Sequence, residues 1–495
     1  MTARPQAYRP ETAILDLGDA FYDRVTAADF PQTILRYRND RAAAEVGIFP
    51  SSVRAEPVEA RELRTRPSTS SGRTDGQQLV LSDEEWIAHF GRFAPLSGSL
   101  PEPLALRYHG HQFRNYNPDI GDGRGFLFAQ LLAADGRLMD LGTKGSGQTP
   151  YSRFGDGRLT LKGGIREILA TEMLEALGVP TSRTFSLIET GEALERNDEP
   201  SPTRSAVLVR LSHSHVRIGT FQRLTYFRDE EALRALTGYA LLRLYGEKPG
   251  DDAAARLLDL VVGRTATLAG RYMAAGFVHG VLNSDNINVT GESFDYGPWR
   301  FTPTWDPGFT AAYFDHAGLY AFGRQPEAIH WDAMQLAVAL RPICEAEPLI
   351  AVLDTFGDRY QRAVSDAILW RLGLTPRDPD SDRALVQTIE PVLRGTATGI
   401  DRFFFDAFGG QLPDSYGEPW DEVRGALAAY APRSHRSHPY WSGEPCSMLI
   451  DEVETIWSAV DERDDWTPLH AKVAAIREMG QALAGEPLAA AAANG

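Results

Sequence analysis

The residues best placed to do chemistry lie in one stretch, Gly276-Phe-Val-His279-Gly280-Val281-Leu282-Asn283-Ser284-Asp285-Asn286, followed nine residues after Asn286 by Asp295-Tyr296-Gly297. Protein kinases place a histidine and an asparagine seven apart in their catalytic loop and follow them with an Asp-Phe-Gly whose carboxylate grips Mg2+. His279 and Asn286 are also seven apart. An amide carbonyl and a carboxylate are the hard oxygen donors that Mg2+ prefers, and a loop plus a following strand end can bring them together over nucleotide phosphates. Alone, Asp-Asn and Asp-Tyr-Gly are ordinary turn sequences. Their joint spacing after a long apolar helix is what points to Asn286 and Asp295 as metal ligands. Where kinases keep the catalytic aspartate, two residues after the histidine, this chain has Val281. Asp285, directly before the metal-binding asparagine, is the replacement base.

Upstream, Met139-Asp-Leu-Gly-Thr-Lys144 ends an expected strand in a lysine, and Glu167 lies on a helix 23 residues later. That is the order of the strand-lysine and helix-glutamate ion pair that holds nucleotide phosphates in kinases. Two glycine loops flank the lysine, Gly121-Asp122-Gly123-Arg124 before it and Asp156-Gly157-Arg158 after it. Glycines let backbone N–H groups approach phosphate oxygens and arginines add bidentate bonds, although Asp-Gly is also a common hairpin turn and neither loop reads G-x-G-x-x-G. Arg210 and Arg217 bracket Leu211-Ser-His-Ser-His-Val216 and add positive charge suited to a triphosphate. The alternating pairs His109/His111 and His213/His215 share a strand face as metal ligands do. With no cysteine or third ligand at a metal spacing, they read as hydrogen-bonded structural histidines.

The elements that must position these groups form two kinds of text. From about 100 to 225, short apolar alternations between glycines read as a mostly antiparallel sheet, interrupted by one helix through Ile165, Ile168, Leu169, Met173 and Leu177 that ends at Gly178 and Pro180. From about 230 to 480, helical periodicity dominates, as in Leu257, Leu258, Val261, Val262, Thr265 and Leu268. The pattern is α+β, with a β-rich N-lobe at about 80–225 and an α-rich C-lobe at about 226–480. Residues 21–48 read as partly helical, and Ser82 with Asp83, Glu84 and Glu85 as a helix cap. Residues 51–78 are rich in Ser, Thr, Arg and Pro and are expected to be a disordered insertion, as the Ala-rich tail after Glu486 is expected to fray. Cys344 is expected in the core of an apolar helix and Cys446 at the surface.

The formal charge of −17 repels phosphate backbones and anionic lipid surfaces, which argues against nucleic-acid and membrane partners. No run of 18 apolar residues and no apolar stretch after Arg4 and Arg9 mark a membrane span or secretory signal. Two cysteines without CxxC spacing favour a reducing compartment, and the cytoplasm is the expected location.

These motifs resemble the selenoprotein O family of protein adenylyltransferases, kinase-like proteins once classed as pseudokinases. The resemblance is carried by Gly110-His-Gln-Phe113, Gly121-Asp-Gly-Arg124, Lys144-Gly-Ser-Gly-Gln-Thr-Pro-Tyr-Ser-Arg153, Asp156-Gly-Arg158, Ile165-Arg-Glu167, Arg217-Ile-Gly-Thr-Phe221, His279-Gly-Val-Leu-Asn-Ser-Asp-Asn286 and Asp295-Tyr-Gly-Pro298, and runs from about residue 10 to at least 340. It implies a two-lobed, protein-kinase-like catalytic unit over 10–480 with ATP bound in the reverse sense to a kinase, so that AMP is transferred to Ser, Thr or Tyr hydroxyls of protein substrates and pyrophosphate leaves. It also implies nucleotide contacts from Gly121, Gly123, Arg124, Lys144, Asp156, Gly157, Arg210, Arg217 and Asp295, with Glu167 as the partner of Lys144. Asp285 becomes the proton acceptor, and Asn286 and Asp295 the ligands of Mg2+ or Mn2+. The chain departs from the family in having Arg114 for a usual Gly, Asp119-Ile120 for Gln-Leu and Gly163-Gly164 for Ser-Ser. The resemblance thins after about residue 345, where no selenocysteine-type terminal motif stands. Two other activities fit the same residues, a phosphoryl-transferring kinase and a non-catalytic pseudokinase scaffold. Val281 argues against the first, and the intact Asp285, Asn286 and Asp295 against the second.

Overall fold

The computed structural model describes residues 6–51, 78–197 and 199–485. The expected insertion, apart from its end residues, and the Ala-rich tail lie outside the described residues. The chain forms two compact units, each built from separated segments: a sheet unit (Met1–Arg107, Gly121–Gly164, Arg183–His215) and a helical unit (Tyr108–Ile120, Ile165–Ser182, Val216–Gly495). Strands and helices are thus largely segregated in a mixed α and β architecture.

Among the described residues of the sheet unit, nine strands form one sheet, seven of them in the order Tyr22–Arg24, Leu104–Leu106, Leu127–Leu132, Leu138–Lys144, Thr203–Ser212, Arg183–Leu194, Ile34–Arg38. Pro10–Glu11 adds to Leu127–Leu132 and Leu159–Thr160 to Thr203–Ser212, and every pairing is antiparallel. Alternation along Leu138–Lys144 sends Met139 and Leu141 into an apolar core with Phe128, Phe185, Val207 and Val209. It leaves Asp140, Gly142 and Lys144 on the opposite face. Helix Asp83–Phe90 begins with the expected cap: Glu85 N donates to Ser82 Oγ at 3.2 Å, while Ser82 N donates to Glu85 Oε2 at 2.8 Å. The helix buries Trp86, stacked on Phe185 at 5.1 Å with its indole N–H donated to Ser186 Oγ at 3.0 Å. Truncating such a side chain to Ala costs about 3–5 kcal/mol. Residues 21–48 correct the helical expectation. They form the strands Tyr22–Arg24 and Ile34–Arg38 before a short helix, Asp40–Glu45, because backbone pairing of the first with Leu104–Leu106 and of the second with Arg183–Leu194 overrides a weak local periodicity.

The helical unit is built around Ala253–Ala275, which packs on Gln325–Leu340 and Phe356–Arg371. A second apolar layer joins Leu369, Leu385, Ile389, Phe403, Trp420 and Val423. The buried Glu172 takes a two-pronged bond from Arg477 (2.6 and 2.9 Å), which fixes the last helix, Thr467–Ala484. After Gly276 the chain makes the short antiparallel pair Phe277–Val278 with Arg300–Phe301, and the loop between these strands carries His279 to Asp295. Both cysteines are free thiols and differ from expectation: Cys344 is only half-buried, at the end of the 3-10 turn Arg341–Ile343, whereas Cys446 is buried. Among the described residues no helix is long and apolar enough to cross a membrane.

Candidate active site

In the sheet unit, main-chain contacts gather the expected nucleotide residues. Lys144 closes its strand opposite Leu208 and is buried, and the next amide, Gly145 N, donates to Arg124 O at 2.7 Å. Ser152 Oγ donates to Gly123 O. A Cβ on Gly121 would meet the Tyr151 ring at 2.5 Å. The Asp156-Gly157 turn joins the same assembly through Gly147 N, which donates to Gly157 O at 3.2 Å. Gly157 has φ +70°, and a Cβ there would strike the Gly147 backbone at 2.3 Å, so both conformation and space demand glycine. Burial works against ionising Asp156, but bonds from Arg196 (2.8 Å) and from Arg158 N (2.9 Å) outweigh it and hold its carboxyl below the ordinary range. Arg124 is exposed.

Arg210 sits opposite Gly142 and is buried. Its Nε donates to His215 Nε2 at 3.2 Å, so the ring proton sits on Nδ1, facing Asp140 Oδ2 at 3.4 Å. His215 N also donates to Asp140 Oδ2 (2.9 Å), and Gln130 Nε2 donates to Asp140 Oδ1 (2.8 Å). Sequence reasoning missed this network. Its signal was a glycine inside a strand, since a Cβ on Gly142 would lie 2.2 Å from His215 Nε2.

In the helical unit, Asp285, Asn286, Asp295 and Arg217 come together. Segment 216–218 pairs with 287–289, with Ile218 N donating to Ile287 O and Val289 N to Val216 O, both at 3.0 Å. This brings Arg217 against the loop, where Nη1 donates to Asp285 O (3.0 Å) and to Asp295 Oδ2. The guanidinium lies between the Tyr108 and Phe294 rings, at 4.4 and 4.7 Å. Asp295 has φ +59°, a left-handed conformation that aspartate tolerates better than most residues and that turns its carboxylate toward Arg217. His279 Nε2 donates to Phe294 O at 2.9 Å and so ties the start of the loop to the residue before Asp295. Asn286 Nδ2 donates to Val281 O at 3.0 Å, which leaves the amide oxygen as the end a cation would meet. Glu167 is buried on helix Leu161–Ala176, in the part belonging to this unit.

Asp285 is only 7% exposed, and its Oδ1 has no hydrogen-bond partner. Burial pushes its carboxyl up to about 6, against the pull of Arg217. A carboxylate with one unoccupied oxygen and a pKa just below neutral is equipped to take a proton. The hairpin Gly110–Gln112/Asn115–Asn117 of the same unit lies on this loop: His111 N donates to Ser284 Oγ (2.7 Å) and Phe113 N to Asn283 Oδ1 (3.0 Å). Its two turn residues, Phe113 and Arg114, have φ +49° and +63°, the geometry of a type I′ turn. Arg114 is held there by Glu327 at 3.1 Å and by the Trp331 ring. Among the paired histidines, His109 Nδ1 meets Tyr116 OH and His111 Nδ1 meets Gln222 Nε2, both at 2.8 Å.

Comparison with known proteins places this geometry in context. The family model described as protein adenylyltransferase SelO matches residues 48–421. The chain is 42% identical to the protein nucleotidyltransferase YdiU of Gloeobacter violaceus over 94% of its own length and 95% of that protein. It is 40% identical to the protein of the same name from Synechococcus elongatus, covering 93% of each, and 40% identical to that of Pseudomonas aeruginosa, covering 74% of each. The similarity therefore extends well beyond residue 345, where the motifs alone thin out.

Proposed function

This chain belongs to the protein adenylyltransferase SelO family, and from that premise we propose that it transfers AMP from ATP to Ser, Thr or Tyr hydroxyls of protein substrates with release of pyrophosphate. The sheet unit is read as the counterpart of a kinase N-lobe and the helical unit as that of the C-lobe. Gly121, Gly123, Arg124, Lys144, Asp156, Gly157, Arg210 and Arg217 hold the nucleotide, and Glu167 partners Lys144. Asn286 and Asp295 would hold Mg2+ or Mn2+. Their hard oxygen donors fit such an ion, which when bound would offset the negative charge of the polyphosphate.

The observation that carries the reading is the buried, unpartnered Oδ1 of Asp285, on a loop where Val281 replaces the usual kinase base. The acceptor hydroxyl oxygen attacks the α-phosphorus, forming a new P–O bond. The bond from the α-phosphorus to the bridging oxygen breaks, its electron pair leaving with pyrophosphate. Asp285 takes the hydroxyl proton. At neutral pH its carboxyl, pushed up to about 6, is largely ionised and ready to do so. Free thiols and an acidic surface suit a cytoplasmic enzyme whose partners are proteins rather than nucleic acids. Incubation with ATP labelled on the α- or the γ-phosphate tests the proposal. The α-label should become protein-bound, whereas equal or greater γ-label would make the enzyme a kinase.

A further inference from the structure

Among the described residues five Phe, Tyr or Trp side chains are exposed, Phe154, Tyr226, Phe227, Tyr313 and Phe314, and the last four stand as two adjacent pairs in the helical unit. Single exposed apolar residues are ordinary on a protein surface, whereas neighbouring rings left in water mark an interaction surface. The two pairs are the ends of one band of rings. From Phe227 and Tyr226 the contacts run through Tyr116 and His111 to Trp331, each ring centroid 5.0–5.8 Å from the next. From Tyr313 and Phe314 they run to Phe113 over 5.1 and 5.8 Å. Arg114, next to Phe113, lies over the Trp331 ring at 5.5 Å and joins the two halves. Tyr226 thus rests on a strand residue of the hairpin Gly110–Gln112/Asn115–Asn117 and Phe314 on its turn. The band is anchored on the Asp285 loop: Asn283 Oδ1 accepts from Phe113 N at 3.0 Å and from the Tyr320 hydroxyl at 2.8 Å, and Ser284 Oγ accepts from His111 N at 2.7 Å.

Its exposed ends are held in place by their own loops. The buried Asp315 accepts from Leu319 N and Tyr320 N, both at 2.8 Å, and closes the turn that follows Tyr313 and Phe314. At the other end Phe227 N donates to Arg223 O at 3.1 Å, and the Arg223 guanidinium lies over the Phe227 ring at 4.9 Å. Rings fixed in advance give up little entropy on binding, and aromatic and arginine side chains carry most of the energy of protein interfaces. We propose that this band is the docking surface of the acceptor protein, which lies along it as an extended segment with apolar side chains on both sides of the hydroxyl to be modified. The inference rests on the reading of the Asp285 loop as the site of transfer. The occupant follows from continuity: a protein adenylyltransferase must bring a polypeptide to that loop, and the band is built onto it. The formal charge of −17 disfavours an anionic bilayer in the same place.

The test uses two fluorescein-labelled nonapeptides of equal charge, each with one central Ser, flanked by Leu and Phe in the first and by Gln and Gly in the second. Their affinities are measured by anisotropy on the full-length parent and on the double variants Tyr226→Ser/Phe227→Ser and Tyr313→Ser/Phe314→Ser. The parent should bind the apolar peptide at least about tenfold more tightly than the polar one, and each double variant should lose about tenfold of that affinity. Calorimetric ATP affinity should stay within threefold and melting within a few degrees, because the substituted side chains are exposed. With whichever phosphate label the parent transfers, the KM for the apolar peptide should rise about tenfold while kcat at saturating peptide stays within threefold. Equal affinity of the parent for the two peptides, or a preference that survives in both variants, would overturn the docking surface. So would a parent that self-associates and is returned to monomer by the same substitutions, because the band would then hold a second copy. ATP affinity or melting that falls in step with peptide binding would make the rings structural. Selective peptide binding by a parent that transfers neither label would leave the docking surface standing and overturn the reaction alone.

Discussion

The two units hold their functional residues by different means. In the sheet unit, Gly121, Gly123, Lys144 and Gly157 are placed by the main chain: amides and carbonyls of adjoining loops bond one another, and glycines make the approaches possible. In the helical unit the buried Arg217 guanidinium pairs with the Asp295 carboxylate and with the main-chain carbonyl of Asp285, whose own carboxyl is buried on the same loop. A site built from backbone shape fails when an atom is added. One built from buried charges fails when a charge is removed, and it fails harder, because the partner left behind pays its full desolvation cost.

The largest expected effect therefore lies in the helical unit. Asp295→Ala should lower label transfer at least about a thousandfold, since it deletes a proposed metal ligand and takes from the buried Arg217 its carboxylate partner. Stability should fall by about 3 kcal/mol in the same variant. A near-normal rate with Mg2+ would break the contrast at its strongest point.

Asp285→Asn comes next, with transfer down about a hundredfold and ATP affinity within a few-fold of the parent. Its stability should change in the opposite sense. The folded carboxyl sits near 6, above its value of about 4 in the unfolded chain, so through that window the native state holds a proton that the unfolded state has released. The stabilisation from the neutral form is complete below about pH 4 and is lost as pH rises through 6. Without nucleotide or metal, Asp285→Asn should thus be about 2–3 kcal/mol more stable than the parent at pH 7 and equal to it near pH 4. Denaturant titrations at the two pH values decide; no difference at pH 7 would mean that burial does not set the acidity of this group.

In the sheet unit, Gly157→Ala should weaken ATP binding about tenfold while kcat at saturating ATP stays within a few-fold. The added methyl meets backbone, which cannot swing aside as a side chain can. Equal losses in both constants would erase the distinction between the units.

The smallest effect concerns the segment between strands Ile48–Pro50 and Leu79–Leu81. These strands pair in parallel, with Pro50 opposite Leu81. Joining Pro50 directly to Leu79 would ask one peptide step of about 3.8 Å to span roughly 8 Å, so outright deletion of 51–78 must tear the pair apart. Replacing residues 53–76 with a Gly-Ser linker of about eight residues should leave melting and transfer nearly unchanged, because loop length itself costs little. Several degrees lost with the linker in place would show that the segment contributes packing.

What the sequence determined by itself was which candidate groups fall within one short span. His279, Asp285, Asn286 and Asp295 share one loop between two short strands, so spacing alone singled them out as candidates. The Ser82 cap and the alternation ending in Lys144 were legible for the same reason, because hydrogen bonds and side-chain periodicity within one element are local. Tertiary structure decided what lies across from each group. Asp285 is buried and Cys446 is buried, but nothing adjacent in the chain says so. His111 and Ser284, whose bond sets the hairpin Gly110–Gln112/Asn115–Asn117 on the Asp285 loop, are separated by 173 residues. Periodicity tells which face of an element is apolar and is silent on which element covers it. The Asp140–His215–Arg210 network depends on such long-range pairings, and the His215 amide that anchors it on Asp140 is brought into place only by folding.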